Sequence, residues 1–104
     1  MAQAITDGTF AAFVQDNTVA MIDCWATWCG PCRMLSPVVD ELAVEMEGKV
    51  AIGKLNVDEN PDVCQQFGIM SIPTMLVFKN GELVDRMVGA HPKSAIQAKL
   101  SSLL

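Results

Sequence analysis

The stretch TVAMIDCWATWCGPCRMLSPVVDELAVEM, residues 18–46, contains a change of hydrophobic period that is the strongest indication of the fold. Its first part is a mostly apolar run that ends near Trp25, which is typical of a buried strand. From Pro31 onward the apolar residues form a helical stripe: Leu35, Val38, Val39, Leu42, Ala43 and Met46. Gly48 is the expected stop signal, and Pro37 predicts a bend rather than a break. The sequence therefore predicts a strand that leads through a short loop into a helix.

The segments on either side of this unit predict further helices and strands. ITDGTFAAFVQDN, residues 5–17, predicts a helix with Thr6 or Asp7 as its cap and an apolar face formed by Phe10, Phe13 and Val14. KVAIGKLNVD, residues 49–58, predicts a second central strand. NPDVCQQFG, residues 60–68, predicts a short helix with Asn60 as cap, Pro61 at its first position and Gly68 at its end.

The last third of the chain predicts a hairpin followed by a helix. TMLVFKNGELVDRMVG, residues 74–89, contains Asn80-Gly81 between two apolar runs, which is a strong hairpin signal. HPKSAIQAKLSSLL, residues 91–104, predicts an amphipathic helix that carries Ile96, Leu100 and Leu103. The order of these elements predicts an α/β domain in which helices flank both faces of a mixed central sheet.

Size and composition limit the classes of protein that fit. The chain has 104 residues, which predicts one domain over residues 1–104, and 51% of its residues are hydrophobic. The net charge of −5 argues against a nucleic-acid or anionic-membrane surface, because no basic cluster could neutralise phosphates. No apolar stretch approaches the ~20 residues that a membrane span needs. The start MAQAITDGTF lacks the features of a signal peptide, so a cytoplasmic location is expected.

The Cys29–Cys32 spacing is compatible with a structural staple, a metal site or a redox pair. A Cys29–Cys32 disulfide would stabilise the fold only weakly. Closing so short a loop contributes about 2 kcal/mol to the free energy of unfolding, against about 3 kcal/mol for a 15-residue loop. A metal site needs two more ligands, but Cys24 and Cys64 are single and His91 has no spaced partner, so no metal is expected. Redox cycling needs only the pair. Its position between strand and helix favours thiolate over thiol, because unpaired N–H groups point there.

The motifs WCGPC, NPDV, SIPT and KNGE, in their order along the chain, resemble the thioredoxin family from about Phe10 to Leu100. The resemblance implies a thioredoxin fold, with about five strands and about four helices. It also implies a monomeric protein-disulfide reductase that works by thiol–disulfide exchange, binds no cofactor and acts on disulfide-containing substrate proteins. A thioredoxin reductase, NADPH- or ferredoxin-linked, or another dithiol donor would regenerate the dithiol.

Four residues are expected to carry the chemistry. Cys29, nearest the exposed end of the loop, is the expected nucleophile, and Cys32, one step into the helix, is the expected resolving thiol. Asp23 lies in an apolar run, so burial should raise its pKa. The resemblance assigns Asp23 as the acceptor of the Cys32 proton; the alternative is a satisfied polar residue at a strand end. The resemblance makes Lys54 the partner of that acid, with an ordinary snorkelling lysine as the alternative.

The resemblance also assigns a shallow apolar surface that contacts substrate proteins: Trp28, Gly30, Pro31, Ile72, Pro73, Gly89 and Ala90. Pro73 matches a cis-proline that faces the cysteine pair, and the alternative is a trans proline that opens an edge strand. Trp25 is expected to pack beside the loop rather than contact substrate. Cys24 and Cys64 lie outside the family motif and are expected to pack as small hydrophobes, with a regulatory thiol at Cys64 as the alternative.

A second function, of a different class, uses the same surface. The apolar rim around the CGPC loop could hold a partner protein without any thiol chemistry, which would make the chain a non-catalytic binding module. Loss of disulfide reduction in Cys29→Ser would favour the redox function, whereas retained partner binding in that variant would favour the module.

Overall fold

The computed structural model describes all residues, Met1–Leu104. Five strands and four helices follow one another along the chain: β1 Gln3–Ile5, α1 Phe10–Gln15, β2 Val19–Trp25, α2 Gly30–Glu45, β3 Ala51–Asn56, α3 Pro61–Phe67, β4 Thr74–Lys79, β5 Glu82–Val88 and α4 Lys93–Ser101. None of the helices combines the length and hydrophobicity that crossing a membrane requires.

The strands form one mixed sheet in the order β1-β3-β2-β4-β5. β3 pairs in parallel with both β1 and β2, whereas β4 pairs antiparallel with β2 and β5. β2 is therefore central, which explains why nearly all of its residues are buried. The predicted α/β architecture is confirmed.

Two hydrophobic cores lie on opposite faces of this sheet. Residues of α2 and α4, including Leu35, Leu42 and Ile96, pack on one face. Residues of α1 and α3, including Phe13 and Val63, pack on the other. Side chains alternate between the faces along each strand, so each position of β2 is assigned to one helix pair.

The alternation puts Asp23 under α2. Met21 belongs to the core beneath α2 and α4, while Ile22 and Cys24 belong to the core beneath α1 and α3. Asp23 is two residues from Met21 and so faces the same helices. On β3, Ile52 likewise faces α2, which puts Lys54 on that face as well.

The turns follow the predicted residue chemistry. Asn80 and Gly81 both have positive φ, 52° and 83°, as a two-residue hairpin turn requires. Gly68 ends α3 in the left-handed conformation. α2 continues through Pro37 and ends at Glu45, with Gly48 at positive φ just beyond it.

The predicted cap of α1 is wrong, whereas the predicted cap position of α3 is confirmed. Thr9, not Thr6 or Asp7, is the N-cap residue of α1, and it makes no side-chain capping bond. Asp7 instead caps α3: its carboxylate accepts the N–H groups of Asp62 at 3.1 Å and Val63 at 3.0 Å. Asn60 is the N-cap residue of α3 as predicted, but its side chain makes no capping bond; its Oδ1 accepts the N–H of Asp7 at 2.8 Å instead.

Strand β1 is the one element that the residue pattern does not indicate. It has three residues, of which only Ile5 is buried, so it is too short for a periodic signal. Its place is defined by pairing with β3, where Gln3 lies opposite Gly53.

Candidate redox site

The two cysteines of the CGPC loop lie at the junction of β2 and α2. Cys29 is the N-cap residue of α2, and its Sγ accepts the backbone N–H of Cys32 at 3.2 Å. Pro31 lies in the first turn of the helix, where no intrahelical N–H is required. The two sulfurs form a disulfide, with S–S 2.29 Å and Cα–Cα 5.3 Å. The pair therefore lies at a helix N-terminus, where free N–H groups stabilise negative charge on sulfur.

The difference in exposure between the two cysteines is smaller than the sequence predicts. Cys29 is 5% exposed and Cys32 is 2% exposed. Both pack against Ala26, with Trp25 and Ile72 at the edge of this small cluster. Cys29 remains the more accessible of the two, and Trp25 packs beside the loop as expected.

A cis peptide bond joins Ile72 and Pro73 directly beside the disulfide. The carbonyl oxygen of Ile72 lies 3.8 Å from the Sγ of Cys29. Pro73 is buried and precedes β4, which is an interior strand, so the alternative of a trans proline at an edge strand is wrong. The N–H of Gly89 donates to the carbonyl of Pro73 at 2.8 Å, which ties the end of β5 to the site.

The remaining residues of the predicted contact surface are at least partly accessible. Trp28 is 67% exposed, and its indole N–H donates to Oδ2 of Asp58 at 2.8 Å. Pro31 and Ala90 are exposed, while Gly30, Ile72 and Gly89 are half-buried.

A shallow depression of about 510 Å³ lies on one side of this surface. Six of its eight lining residues are hydrophobic, and Trp28, Ile72, Met70 and Cys64 are among them. Met70 is 97% exposed, so the apolar surface extends well beyond the disulfide itself.

Asp23 is a buried carboxylate without a hydrogen-bond partner. Its side chain is 1% exposed, and neither Oδ1 nor Oδ2 receives a hydrogen bond. Burial raises the pKa of Asp23 to about 6; the charge of Lys54 opposes this rise and that of Asp40 adds to it. The alternative of a satisfied polar residue at a strand end is therefore wrong.

Lys54 neighbours Asp23 in the sheet but binds elsewhere. The two residues are paired in the register of β2 and β3. The ammonium of Lys54 nevertheless donates to Oγ of Ser36 and, at 3.1 Å, to Oδ2 of Asp40. It thus ends in an ion pair on α2 rather than free in solvent.

The chain matches the family model described as Thioredoxin over residues 1–102. It belongs to the thioredoxin family. It is 57% identical over 96 residues to thioredoxin 2 of Chlorobaculum tepidum, covering 91% of this chain and 88% of that protein. It is 51% identical over 104 residues to thioredoxin 1 of Nostoc sp., and this match covers 99% of this chain and 97% of that protein. A solved structure of a mutant thioredoxin from Halobacterium salinarum NRC-1 matches with a TM-score of 0.91 and 33% identity, over 98% of this chain and 89% of that chain.

Family, fold and disulfide together establish the general chemistry. The resemblance seen in WCGPC and its companion motifs is confirmed, and so is the thioredoxin fold. A thioredoxin-family chain with a Cys29–Cys32 disulfide is a thiol–disulfide oxidoreductase. Such a family member acts on disulfides of other proteins and exchanges electrons with a reductase partner.

Three polar residues at this thioredoxin site are not indicated by the local sequence pattern. Ser36 and Asp40 bind Lys54 from α2, and Asp58 binds Trp28 from the loop after β3. The one available signal was Lys54 itself, since a lysine in an apolar strand needs a partner. Ser36 and Asp40 are one helical turn apart, which puts them on one face of α2.

The two cysteines outside the motif are free thiols. Cys24 is fully buried among apolar residues, and burial raises its pKa to about 12, so it packs as a small hydrophobe. Cys64 is half-buried beside the same core, and burial together with Asp7 and Asp58 raises its pKa. No group of three or more His, Cys, Asp or Glu side chains is arranged to hold a metal ion.

Proposed function

We propose that this thioredoxin-family chain is a protein-disulfide reductase that transfers two electrons from its Cys29–Cys32 dithiol to disulfides of substrate proteins. The observation that carries the proposal is the position of the disulfide: at the N-terminus of α2, beside the Ile72 carbonyl and next to an exposed apolar surface. Aligned N–H groups favour a thiolate there, and the apolar surface offers contact area to another protein.

The reaction proceeds in two exchanges. The Cys29 thiolate attacks one sulfur of the substrate disulfide, forms a mixed disulfide and releases the other substrate sulfur as a thiolate, which takes up a proton. Cys32 then loses its proton and attacks the Sγ of Cys29. The mixed bond breaks, the second substrate thiol leaves, and the Cys29–Cys32 disulfide forms.

Asp23 is the proton acceptor for Cys32 in this scheme. Its strand position puts it under α2, the helix that carries Cys32, and burial raises its pKa to about 6. A carboxylate of this basicity accepts a proton near neutral pH far more readily than an exposed aspartate. Lys54, its partner on β3, moderates that basicity through its charge.

Substrate proteins would bind across the surface formed by Trp28, Gly30, Pro31, Ile72, Pro73, Gly89 and Ala90. An extended substrate segment can pair with the backbone next to Pro73, and backbone pairing tolerates varied side chains. Pro73 itself is buried, so its contribution is to shape the backbone rather than to offer its ring.

A thioredoxin reductase, NADPH- or ferredoxin-linked, would return electrons to the Cys29–Cys32 disulfide. The chain would work as a monomer in the cytoplasm, without a bound cofactor and without nucleic-acid or membrane partners. Its net charge of −5 supports the last point, because phosphate surfaces would repel it.

The test is a trapping experiment with Cys32→Ser. This variant can form the mixed disulfide but cannot resolve it, so incubation with oxidised insulin should give a covalent adduct at Cys29 by mass spectrometry. Cys29→Ser should give no adduct and no insulin reduction with dithiothreitol as donor. Cys64→Ser, which changes a half-buried thiol beside the same surface, is the matched control and should keep full activity. An adduct on Cys32 in the Cys29→Ser variant would reverse the roles of the two thiols.

A non-catalytic binding module remains the second candidate, because the fully exposed Met70 and the exposed Trp28 give the rim an apolar surface. Partner binding by the Cys29→Ser, Cys32→Ser double variant would demonstrate this activity separately from reduction.

A further inference from the structure

Two side chains of α2 bind the ammonium of Lys54. Ser36 Oγ and Asp40 Oδ2 both accept from it, and they are one helical turn apart on the same face of the helix. The side chains of Lys54 and Asp40 are only 17% and 26% exposed, so water screens this pair less than a surface ion pair. The ammonium therefore has a defined position on α2.

Asp40 is itself held in place. Its Oδ1 accepts the backbone N–H of Ala2 at 3.2 Å, while its Oδ2 binds Lys54 at 3.1 Å. Burial opposes ionisation of Asp40, but the hydrogen bonds from Ala2 and Lys54 prevail and lower its pKa. Asp40 is thus a fixed anion that draws the ammonium toward α2.

The consequence for Asp23 is that its neighbour in the sheet does not neutralise it. Lys54 and Asp23 are register partners, yet both oxygens of Asp23 lack a hydrogen-bond partner. A cavity of about 150 Å³ lies beside Lys54 and is lined by Trp25, Cys32, Arg33, Ser36 and Lys54. The cavity has room for water next to Cys32, since one water occupies about 30 Å³ in the liquid.

We propose that Ser36 and Asp40 are positioning residues of the redox site: they hold the Lys54 ammonium on α2, off the Asp23 carboxylate, and so keep Asp23 a strong enough base to take the Cys32 proton. This inference rests on the proposed function, in which Asp23 accepts that proton. The two side chains touch neither substrate nor sulfur and act only through Lys54.

The charged groups around Asp23 define the expected effect of each variant. Lys54 faces it from β3 and Asp40 from α2, whereas its neighbour on β4 is the apolar Met75. Asp40→Asn removes a negative charge that raises the pKa of Asp23. It also weakens the binding of the Lys54 ammonium to α2, because the ion pair with Asp40 is lost. Both effects lower the pKa of Asp23, so the sign of the change is unambiguous.

The experiment follows the Asp23 carboxyl carbon by NMR titration in the full-length oxidised protein. Asp40→Asn should lower the pH midpoint of the Asp23 titration by about one pH unit, and adding Ser36→Ala should lower this midpoint further. Asp85→Asn is the matched control, because it removes another half-buried aspartate with a lysine partner, Lys99. An unchanged or raised midpoint in the Asp40→Asn, Ser36→Ala protein would overturn the proposal.

The Lys54→Met background tests whether the effect passes through the ammonium. There Asp40→Asn should lower the midpoint by less than it does in the parent, because no ammonium remains to be released. An equal decrease in both backgrounds would contradict the positioning role. It would mean that Asp40 affects the pKa of Asp23 only through its own charge.

The rate of mixed-disulfide release separates this inference from the proposed function. In the Asp40→Asn, Ser36→Ala protein the acidic limb of the pH–rate profile should move to lower pH together with the Asp23 midpoint, and the plateau rate should fall. A shifted midpoint with an unchanged profile would leave the positioning of Lys54 intact and remove Asp23 as the proton acceptor.

Discussion

Asp23 and Lys54 lie side by side on β2 and β3, yet no hydrogen bond joins their side chains. The lysine is bound on α2, and the aspartate is left buried with two unpartnered oxygens. A buried ionised carboxylate without hydrogen bonds destabilises the folded state. The site therefore retains, at a cost in stability, a group that would be replaced easily if only folding mattered.

Replacing Asp23 by Asn should stabilise the protein in a pH-dependent way. The pKa of Asp23 is about 6 in the folded state and 3.8 in the reference state, so the folded state holds the proton more tightly. Stability is therefore lost as pH rises from about 4 to about 6, and the full penalty of about 3 kcal/mol applies above that range. Urea denaturation should show Asp23→Asn to be more stable by up to about 3 kcal/mol at pH 8 and by little at pH 4.

The control for this comparison is Asp16→Asn, which changes an exposed carboxylate just before β2. It should alter stability by less than about 0.5 kcal/mol at either pH. Equal stability of Asp23→Asn and the parent at pH 8 would contradict the assignment of Asp23 as an uncompensated buried charge.

Replacing Asp7 by Ala should destabilise the protein although Asp7 lies outside every helix. Its carboxylate accepts two N–H groups at the start of α3, so the loss should be about 1–2 kcal/mol in urea denaturation. Asp7→Asn keeps an acceptor at the same place and should lose less. If Asp7→Ala were no less stable than Asp16→Ala, the capping role of Asp7 would be wrong.

Adding a methyl group at Gly53 should disturb the pairing of β1 and β3. A Cβ there would lie 2.5 Å from Cγ1 of Ile5 and 3.2 Å from the carbonyl oxygen of Gln3. Gly53→Ala should therefore destabilise by about 1–3 kcal/mol. Gly8→Ala, whose Cβ would meet nothing closer than 3.8 Å, is the control.

A double variant identifies the clash as the cause. In an Ile5→Ala background the Cγ1 atom is absent, so Gly53→Ala should cost clearly less than in the parent. Strictly additive losses would indicate that the space beside Gly53 is not limiting.

Replacing Asp58 by Ala should weaken substrate binding through Trp28. The Asp58 carboxylate fixes the orientation of the exposed indole by a 2.8 Å hydrogen bond. Without it the ring is free to rotate, and we expect KM for a protein disulfide to rise by about 2- to 10-fold with a smaller change in kcat. Glu59→Ala, the adjacent exposed acid, should leave KM unchanged; a similar rise in both variants would point to lost charge rather than lost orientation.

Most of the fold follows from local patterns in the sequence. The change of period between residues 18 and 46 predicts β2 and α2, and Asn80-Gly81 predicts the hairpin, because each signal depends on neighbouring residues alone. β1 is different. Its three residues carry no pattern, and only pairing with β3 makes them a strand.

Some features of the redox site likewise follow from the local sequence, and others do not. The spacing of Cys29 and Cys32 at a strand-to-helix junction predicts a reactive pair, and an acid within an apolar run predicts a raised pKa at Asp23. Pro73 as a cis residue came only with the family resemblance, because composition does not indicate the isomer.

Local sequence patterns predict every helix and strand except β1, the redox pair and the buried acid, because these features depend on periodicity and on neighbours along the chain. Which polar groups contact each other, in contrast, depends on how the elements pack together. Asp7 caps a helix 55 residues away, and Lys54 binds Asp40 rather than its register partner Asp23. A hydrogen bond requires a particular distance and direction, and these are defined only when the sheet register and helix packing bring remote residues together.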